Sequence, residues 1–350
     1  MVPFAGYDMP VQFPSGILAE HQHVRAGAGL FDVSHMGQIR LTAKAGQSAA
    51  AALETLVPGD IAGLKPGQQR YTQLTSESGG ILDDLMVTST GDHLLLVVNA
   101  ACKDGDLAHL RARLQDRVEI EPMFARGLLA LQGPLAVRAL SRLAPSVAGL
   151  AFMTGAFARI DGADCYVTRS GYTGCDGFEI STPGDACEPI ARALLAMAEV
   201  KPIGLGARDS LRLEAGLCLY GHDIDTATTP VEAGLLWSIG KERRVTGGFP
   251  GAAVVQRQIA EGPPRRRVGL RPDGRTIARE NSDIVDASGT KVGMVTSGGF
   301  GPSVSGPIAM GYVDRAHAAA GTKLEMMVRG KPVPAEIVAM PFVKHTYWRG

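Results

Sequence analysis

The apolar residues of this chain follow one pattern before Lys241 and another after it. Helical and strand-like patterns alternate through roughly the first 235 residues, whereas short strand-like segments separated by Gly, Pro, Asp and Ser follow. A length of 350 residues allows two or three domains on the prior of about 100–200 residues each. The sequence therefore predicts an α+β part followed by a small all-β barrel or sandwich.

The first part contains two blocks of similar order. Residues 49–56 form a predicted helix after Ser48, residues 81–87 and 94–98 a predicted hairpin, and Asp104 a predicted N-cap of the next helix. The second block has a hairpin at 157–160 and 165–168, a strand at 178–180, a helix after Asp185 and a helix at 208–214.

The second part begins with three arginines, residues 265–267, interpreted as a solvated entry to the next domain. Its predicted strands are residues 268–270, 291–295, 308–313, 323–328 and 333–339. The last of these places Val333, Ala335, Ile337 and Ala339 on one apolar face.

Composition excludes several classes of protein. The 35 basic and 35 acidic side chains balance, which argues against a nucleic-acid or anionic-membrane binder. The longest aliphatic run, residues 94–98, is far shorter than the ~20 residues that span a bilayer. Five cysteines without a C-x-x-C pair predict a reducing compartment, and the first residues lack the pattern of a signal peptide. We expect a cytoplasmic protein.

Familiar catalytic motifs are missing from the sequence. It has no P-loop, no H-E-x-x-H and no G-x-S-x-G, and His21 and His23 are two residues apart, which does not suit a helical metal site. Residues 204–209 begin like a dinucleotide loop but have Asp209 in place of the third glycine. No metal is predicted.

Two clusters of polar residues remain as candidates. Asp83 and Asp84 lie inside an apolar strand and must point to opposite faces, so at least one should face a cavity, a ligand or solvent. A polar edge strand explains the pair equally well. The glycine-rich segment 171–177 precedes Glu179, and its glycines permit a close approach of backbone to a ligand.

Six motifs in order resemble one known family. They are residues 31–37 (FDVSHMG), Tyr71-Thr72 with residues 79–85 (GGILDDL), residues 171–174 (GYTG) with 177–179 (GFE), residues 206–214 (GARDSLRLE), residues 219–221 (LYG) and residues 340–343 (MPFV). Together the motifs resemble the aminomethyltransferases, the T-proteins of the glycine cleavage system. The resemblance covers essentially the whole chain.

The resemblance implies a three-domain cloverleaf. Two mixed α/β, ferredoxin-like lobes and a C-terminal β-barrel-like or jelly-roll-like domain would surround a central folate cavity. On this basis residues 1–40 with 125–240 form a discontinuous first domain, residues 41–124 an inserted second domain, and residues 241–350 the third.

The resemblance also implies a reaction and its partners. The lipoyl arm of H-protein presents an S-aminomethyl group, the methylene passes to tetrahydrofolate, and ammonia leaves. Glycine decarboxylase and dihydrolipoyl dehydrogenase are then indirect partners, with neither nucleic acid nor membrane involved. A cytoplasmic location is expected, or the mitochondrial matrix if the chain comes from a eukaryote.

The family's functional residues match positions in this sequence. Asp84 matches the catalytic aspartate, which would stabilise the developing cation and help remove the pterin proton. Asp83 would then be structural. Glu179 matches the pterin-binding glutamate, and Arg208 a folate-contacting arginine, with a domain-bracing salt bridge as the alternative. The remaining folate-binding candidates are cavity-lining residues and a tail residue: Tyr71, Met36, Asn99, Tyr172, Tyr220 and Trp348.

Two other functions stay open at this point. A folate-binding iron–sulfur assembly factor has a related fold, but its Lys-Gly-Cys-Tyr-x-Gly-Gln-Glu motif has no counterpart here. Another folate-dependent demethylase, or the folate domain of a sarcosine-type oxidase, shares the fold and is the harder rival. The sequence also departs from the family at Cys175, where an acidic residue is common.

Overall fold

The computed structural model describes residues 1–350, which fold into three sheet-based lobes and a small N-terminal hairpin. The strands are β1 (Val2–Phe4), β2 (Tyr7–Met9), β3 (Ala28–Asp32), β4 (Gly37–Ala43), β5 (Gln69–Thr75), β6 (Ile81–Ser89), β7 (His93–Val98), β8 (Val118–Pro122), β9 (Gly127–Gln132), β10 (Gly155–Ile160), β11 (Ala163–Thr168), β12 (Gly177–Thr182), β13 (Val200–Pro202), β14 (Arg265–Pro272), β15 (Asp283–Val285), β16 (Lys291–Gly301), β17 (Gly306–Asp314), β18 (Lys323–Val328) and β19 (Lys331–Val338).

Eight α-helices connect or cover these strands. They are α1 (Ile17–Ala26), α2 (Ala49–Leu53), α3 (Lys103–Leu114), α4 (Ala136–Leu140), α5 (Gly184–Leu195), α6 (Leu205–Glu214), α7 (Arg243–Thr246) and α8 (Ala252–Glu261). Short 3₁₀ turns occur at Pro145–Val147, Leu236–Ser238 and Arg315–His317.

The first lobe is a six-stranded sheet with the order β10-β11-β12-β9-β3-β13. All of its pairings are antiparallel except that of β13 with β3. Its core includes Leu131, Phe178 and Ile180 from the sheet together with Ile190 and Leu194 from α5, all fully buried. Because Ile190 and Leu194 are four residues apart, one stripe of α5 covers the sheet.

The second lobe is a five-stranded antiparallel sheet with the order β5-β6-β7-β4-β8. In sequence it lies between β3 and β9 of the first sheet. Leu53 from α2 and Leu110 and Leu114 from α3 pack against Ile39 and Leu96 of its inner face. Leu85 and Val87, two residues apart on β6, point into the same core.

The third lobe is a closed six-stranded barrel with the order β14-β17-β16-β15-β18-β19. Pairing of β14 with both β17 and β19 closes it. Leu270, Ile284, Val295, Ala309 and Met326 fill the interior. The prediction of an α+β fold with a C-terminal barrel is therefore confirmed.

Several element boundaries differ from the sequence-based prediction. Helix α3 begins at Lys103 with Cys102 as its N-cap, so Asp104 lies in the first turn and is not the cap. Asp185 likewise follows the first residue of α5. Helix α6 begins at Leu205, three residues before Arg208, with Gly204 as its N-cap.

The interpretation of residues 265–267 as a solvated entry is wrong for Arg267. The Arg267 guanidinium donates to the backbone oxygens of Ala233 and Gly216 at 2.8 and 2.9 Å. Arg266 is exposed, and the Arg265 side chain is 38% exposed and pairs with Glu232 at 3.3 Å. Strand alternation points Arg267 towards backbone carbonyl groups of the preceding segment. Its hydrogen bonds to these groups connect the barrel to the first lobe.

The last residues of the chain lie across the first lobe. The amides of Val343 and Thr346 donate to the backbone oxygens of Glu214 and Gly174 at 3.0 and 2.9 Å. The amide of Phe152 donates to the oxygen of Trp348 at 2.8 Å. We call residues 343–348 the C-terminal strap.

Candidate active site

The paired acids of β6 occupy two different environments. Asp83 lies on the same face as Leu85 and is fully buried, whereas Asp84 on the opposite face is half-buried. The predicted opposition of the two carboxyl groups is confirmed, and β6 has neighbours on both sides, so the alternative of an edge strand is wrong.

Two side chains hold the Asp84 carboxyl. The Tyr71 hydroxyl on β5 donates to Oδ2 at 2.9 Å, and the Asn99 amide after β7 donates to Oδ1 at 2.7 Å. The Asn99 amide also donates to Asp83 Oδ1 at 2.8 Å. Three adjacent strands thus fix the orientation of one carboxyl group.

The environment raises the pKa of Asp84 to about 7, first through burial and then through the charge of Asp83. The hydrogen bonds from Tyr71 and Asn99 oppose this shift by favouring the charged form. A carboxyl group with a pKa near neutrality can both accept and return a proton under ordinary conditions.

Glu179 and Arg208 face one another across a second part of the candidate site. Ser170 Oγ donates to Glu179 Oε2 at 2.6 Å, and Glu179 Oε1 accepts no hydrogen bond from the protein. Arg208 on α6 lies with its guanidinium carbon 4.8 Å from the centre of the Tyr172 ring and forms no hydrogen bond or ion pair. The domain-bracing salt bridge considered for Arg208 is therefore absent.

The electrostatics of Arg208 agree with this geometry. Burial lowers the pKa of its guanidinium, while Tyr172 and Glu179 act in the opposite direction. An enclosed guanidinium beside a half-satisfied carboxylate can bind a ligand that offers both acceptors and donors.

Two tyrosines connect the two parts. The Tyr172 hydroxyl donates to the backbone oxygen of Cys218, and the Tyr220 hydroxyl donates to the oxygen of Ile81 at the start of β6, at 3.3 Å. Burial raises the pKa of Tyr172, which is also sensitive to the charges of both Asp84 and Arg208.

Two cavities adjoin the candidate residues. One of about 30 Å³ lies between the first two sheets and is lined by Glu179, Gln38, Gln69 and Thr88 among others. The other, of about 420 Å³, adjoins Arg208 and is lined mainly by apolar residues of β3 and α5 and of the N-terminal segment. Asp84 lines neither of these two cavities.

Met36 and Trp348 lie apart from this group in their contacts. Met36 packs against the apolar cluster that contains Phe31 and Val33. The Trp348 ring lies 4.4 Å from the guanidinium carbon of Arg169, and its amide donates to Asp176 Oδ1 at 3.2 Å. The structure thus anchors Trp348 on an ion pair of the first lobe and does not bring it into contact with Asp84 or Arg208.

Sequence analysis missed Trp237. Its ring is 62% exposed and is stacked on Tyr71 with 5.3 Å between the ring centres. An exposed indole is unusual. Here it contacts Tyr71, whose hydroxyl in turn donates to the Asp84 carboxyl. Its rarity, as one of only two tryptophans, was the available signal.

The fold and the arrangement of these side chains define a class of protein. A half-buried carboxyl of near-neutral pKa, an unpaired guanidinium and stacked aromatic rings suit an enzyme that transfers a small group to or from a planar, nitrogen-rich molecule.

Comparisons with known proteins specify the class further. A family model described as the GCVT N-terminal domain matches residues 1–243, and one described as the glycine cleavage T-protein C-terminal barrel domain matches residues 265–344. The mitochondrial aminomethyltransferase of Mesembryanthemum crystallinum is 46% identical, with 100% of this chain and 87% of that protein covered. That of Gallus gallus is 48% identical, with 99% and 90% covered.

A solved structure agrees with these relatives. The crystal structure of glycine cleavage system aminomethyltransferase T from Bartonella henselae superposes with a TM-score of 0.94 at 43% identity, covering 99% of this chain and 95% of that one. The chain therefore belongs to the glycine cleavage T-protein family, whose members are aminomethyltransferases, enzymes that transfer one-carbon groups. No helix is both long and apolar enough to cross a membrane.

Proposed function

We propose that this chain moves a methylene group from an S-aminomethyl lipoyl arm, carried by H-protein, to tetrahydrofolate with release of ammonia. The observation that carries the proposal is the Asp84 carboxyl, held by Tyr71 and Asn99 at a pKa of about 7. Membership of the T-protein family supports the choice of donor and acceptor. Glycine decarboxylase and dihydrolipoyl dehydrogenase are indirect partners in this proposal.

Asp84 has two tasks in the proposed reaction. As the carbon–sulfur bond breaks, positive charge develops on the aminomethyl group, and a fixed carboxylate stabilises that charge without reorganisation. As the pterin nitrogen attacks the carbon, the same carboxylate accepts its proton. Both tasks need the ionised form, which the hydrogen bonds from Tyr71 and Asn99 favour.

The proton balance of the reaction is complete without a co-reactant. Two N–H protons leave the reduced folate as its two nitrogens bind the methylene carbon. One proton goes to the departing amine as ammonia, and the other goes to the departing thiolate as a lipoyl thiol. Asp84 can carry each proton in turn because its pKa lies close to the working pH.

The binding residues have separate roles in this proposal. Glu179 Oε1 accepts N–H groups of the pterin, and Arg208 donates to an acceptor of the folate, since neither is satisfied within the protein. Tyr71 and Asn99 donate to the acid, whereas the proposed folate contacts Tyr172 and Tyr220 donate to the backbone oxygens of Cys218 and Ile81. Met36 and Trp348 remain candidates whose present contacts do not support a role in binding.

We propose the domain division of residues 1–40 with 125–240, residues 41–124, and residues 241–350. It is supported by the order of the three sheets along the sequence, although β4 of the second sheet already begins at Gly37 and β14, the first barrel strand, begins only at Arg265. The cytoplasmic location stays a prediction, and the relatives from Mesembryanthemum crystallinum and Gallus gallus are mitochondrial forms.

A reconstituted assay tests the proposed function. Purified chain is mixed with aminomethylated, lipoylated H-protein and tetrahydrofolate, and methylene-tetrahydrofolate, ammonia and free lipoyl thiol are each measured. We expect all three products in equal amounts. Failure of the donor, with transfer from sarcosine or dimethylglycine to folate instead, would favour the demethylase alternative.

A further inference from the structure

A third acid lies behind the paired acids of β6. Asp106, in the first turn of α3, is only 4% exposed, and its Oδ2 atom has no hydrogen-bond donor. Its carboxyl group is hydrogen-bonded to that of Asp83, which is fully buried. Asp106 has no part in the proposed reaction as described above.

The three acids form one connected chain. Asp106 contacts Asp83, which accepts hydrogen bonds from the backbone amide of Asn99 at 3.0 Å and from its side chain at 2.8 Å. The same Asn99 side chain donates to Asp84 Oδ1 at 2.7 Å. The arrangement therefore runs from Asp106 through Asp83 and Asn99 to the candidate catalytic carboxyl.

The chain of acids lacks a compensating cation. None of the three carboxyl groups forms an ion pair with Lys, Arg or His, and they do not form a group that could hold a metal ion. The other titratable groups that face Asp106 are Asp84, the Cys102 thiol and the Tyr220 hydroxyl, none of them cationic.

Hydrogen-bond chemistry decides where the proton resides. Two carboxylates only accept hydrogen bonds, so a bond between Asp106 and Asp83 requires a proton on one of them. Both Asp83 oxygens already accept hydrogen bonds from Asn99, whereas Asp106 Oδ2 has no donor and is free to carry the proton. Burial and the charge of Asp83 also raise the pKa of Asp106 to about 9.

We propose that Asp106 is a positioning residue: it keeps its proton, donates it to Asp83, and thereby holds Asp83 and Asn99 in the arrangement that presents Asp84 to the substrate. The part of this inference that concerns Asp84 rests on the proposed function, whereas the location of the proton does not. Ionisation of Asp106 would place a second uncompensated negative charge beside that of Asp83. The hydrogen bond between Asp106 and Asp83 would then be lost, and Asp83 would no longer be held in the position from which it orients Asn99.

The first test measures stability against pH. A carboxyl group whose pKa is raised in the folded state binds its proton more tightly there, so the wild type loses stability as pH rises from about 4 towards 9. Asp106→Asn removes this loss and keeps an N–H donor for Asp83. Asp104→Asn is the matched control, because Asp104 lies in the same turn of α3 but is exposed.

We expect the unfolding constant of the wild type, relative to that of Asp106→Asn, to rise by up to about tenfold per pH unit between pH 5 and 8. The corresponding ratio for Asp104→Asn should stay nearly constant. A constant ratio for Asp106→Asn as well would mean that Asp106 is ionised in the folded protein, and the proposal would be overturned.

The second test compares a donor with a non-donor at position 106. Asp106→Leu should lower kcat by about tenfold to a hundredfold with an unchanged Kd for tetrahydrofolate, because Asn99 and Asp84 lose their fixed geometry. Asp106→Asn should restore most of kcat and extend activity to higher pH. Equal kcat values for the two variants would refute the positioning role.

If neither wild type nor variant transfers an aminomethyl group, the proposed function fails. The stability measurement then still decides the location of the proton, so the two failures are distinguishable.

Discussion

Replacing Asp84 by asparagine separates the chemical role of this side chain from its cost to the fold. Asparagine has nearly the same shape but carries no charge and accepts no proton. Because general acid–base catalysis contributes about 10²–10⁴-fold, we expect kcat to fall by that factor. The Kd for tetrahydrofolate should change little, because Glu179 and Arg208 are proposed to supply the binding contacts.

The structure also predicts that the variant is more stable at high pH. The pKa of Asp84 is raised from 3.8 to about 7, so holding the charge in the folded state costs about 4 kcal/mol above pH 7. Asparagine avoids this cost but turns its NH₂ group towards either Tyr71 or Asn99, which loses about 1–3 kcal/mol. The net gain is about 1–3 kcal/mol at pH 8.

The sign of this effect reverses at low pH. Below about pH 4 the carboxyl group is protonated in both the folded and the unfolded state, so the charge term vanishes and only the misplaced amide remains. Chemical denaturation of both proteins at pH 4, 6 and 8 measures the difference. If the free energies of unfolding differ by the same amount at all three pH values, the raised pKa of Asp84 is wrong, and near-wild-type kcat would remove Asp84 from its catalytic role.

Three further substitutions test neighbouring contacts. Tyr71→Phe removes a hydrogen-bond donor to the charged form of Asp84, so the acidic limb of the pH–rate profile should move up by about one pH unit. An acidic limb that does not move would show that this hydrogen bond does not affect the pKa of Asp84. Glu179→Ala should raise the Kd for tetrahydrofolate about 10–100-fold in calorimetry, from the loss of a charge-assisted hydrogen bond, and unchanged affinity would count against its assignment. Arg208→Met should weaken folate binding without lowering Tm, because the guanidinium has no hydrogen-bond or ion-pair partner in the free protein and methionine can still pack on the Tyr172 ring; a clear drop in Tm would show a structural role instead.

The sequence predicted elements wherever a local pattern is sufficient. The hairpin of β6 and β7 follows from two apolar runs around a polar turn, and the all-β character of the C-terminal part follows from short, closely spaced strands, which left a barrel and a sandwich both possible. Element ends were less predictable. Asp104 and Asp185 both have side chains suited to capping, but in each case the helix begins one residue earlier, because tertiary packing decides where a helix starts.

In the candidate site, too, local features were predictable from the sequence and long-range contacts were not. Strand alternation alone placed Asp83 and Asp84 on opposite faces, and family motifs pointed to Asn99 and Tyr71. The hydrogen bond between Asp83 and Asp106 joins residues 23 positions apart on different elements, and no periodicity predicts such a contact.

The contact between Trp237 and Tyr71 could not be predicted from the sequence either, because it also joins distant elements. Trp237 lies on a 3₁₀ turn far from β5 in sequence and reaches Tyr71 only through the tertiary fold.

The C-terminal strap has a practical consequence for work with this protein. Its amides and carbonyls are joined to three separate parts of the first lobe, at Glu214, Gly174 and Phe152. The C-terminal strap is thus fixed to the first lobe by backbone hydrogen bonds. An affinity tag or fluorescent fusion attached directly after the strap would disturb these bonds, whereas the same attachment at exposed Met1 would leave them intact.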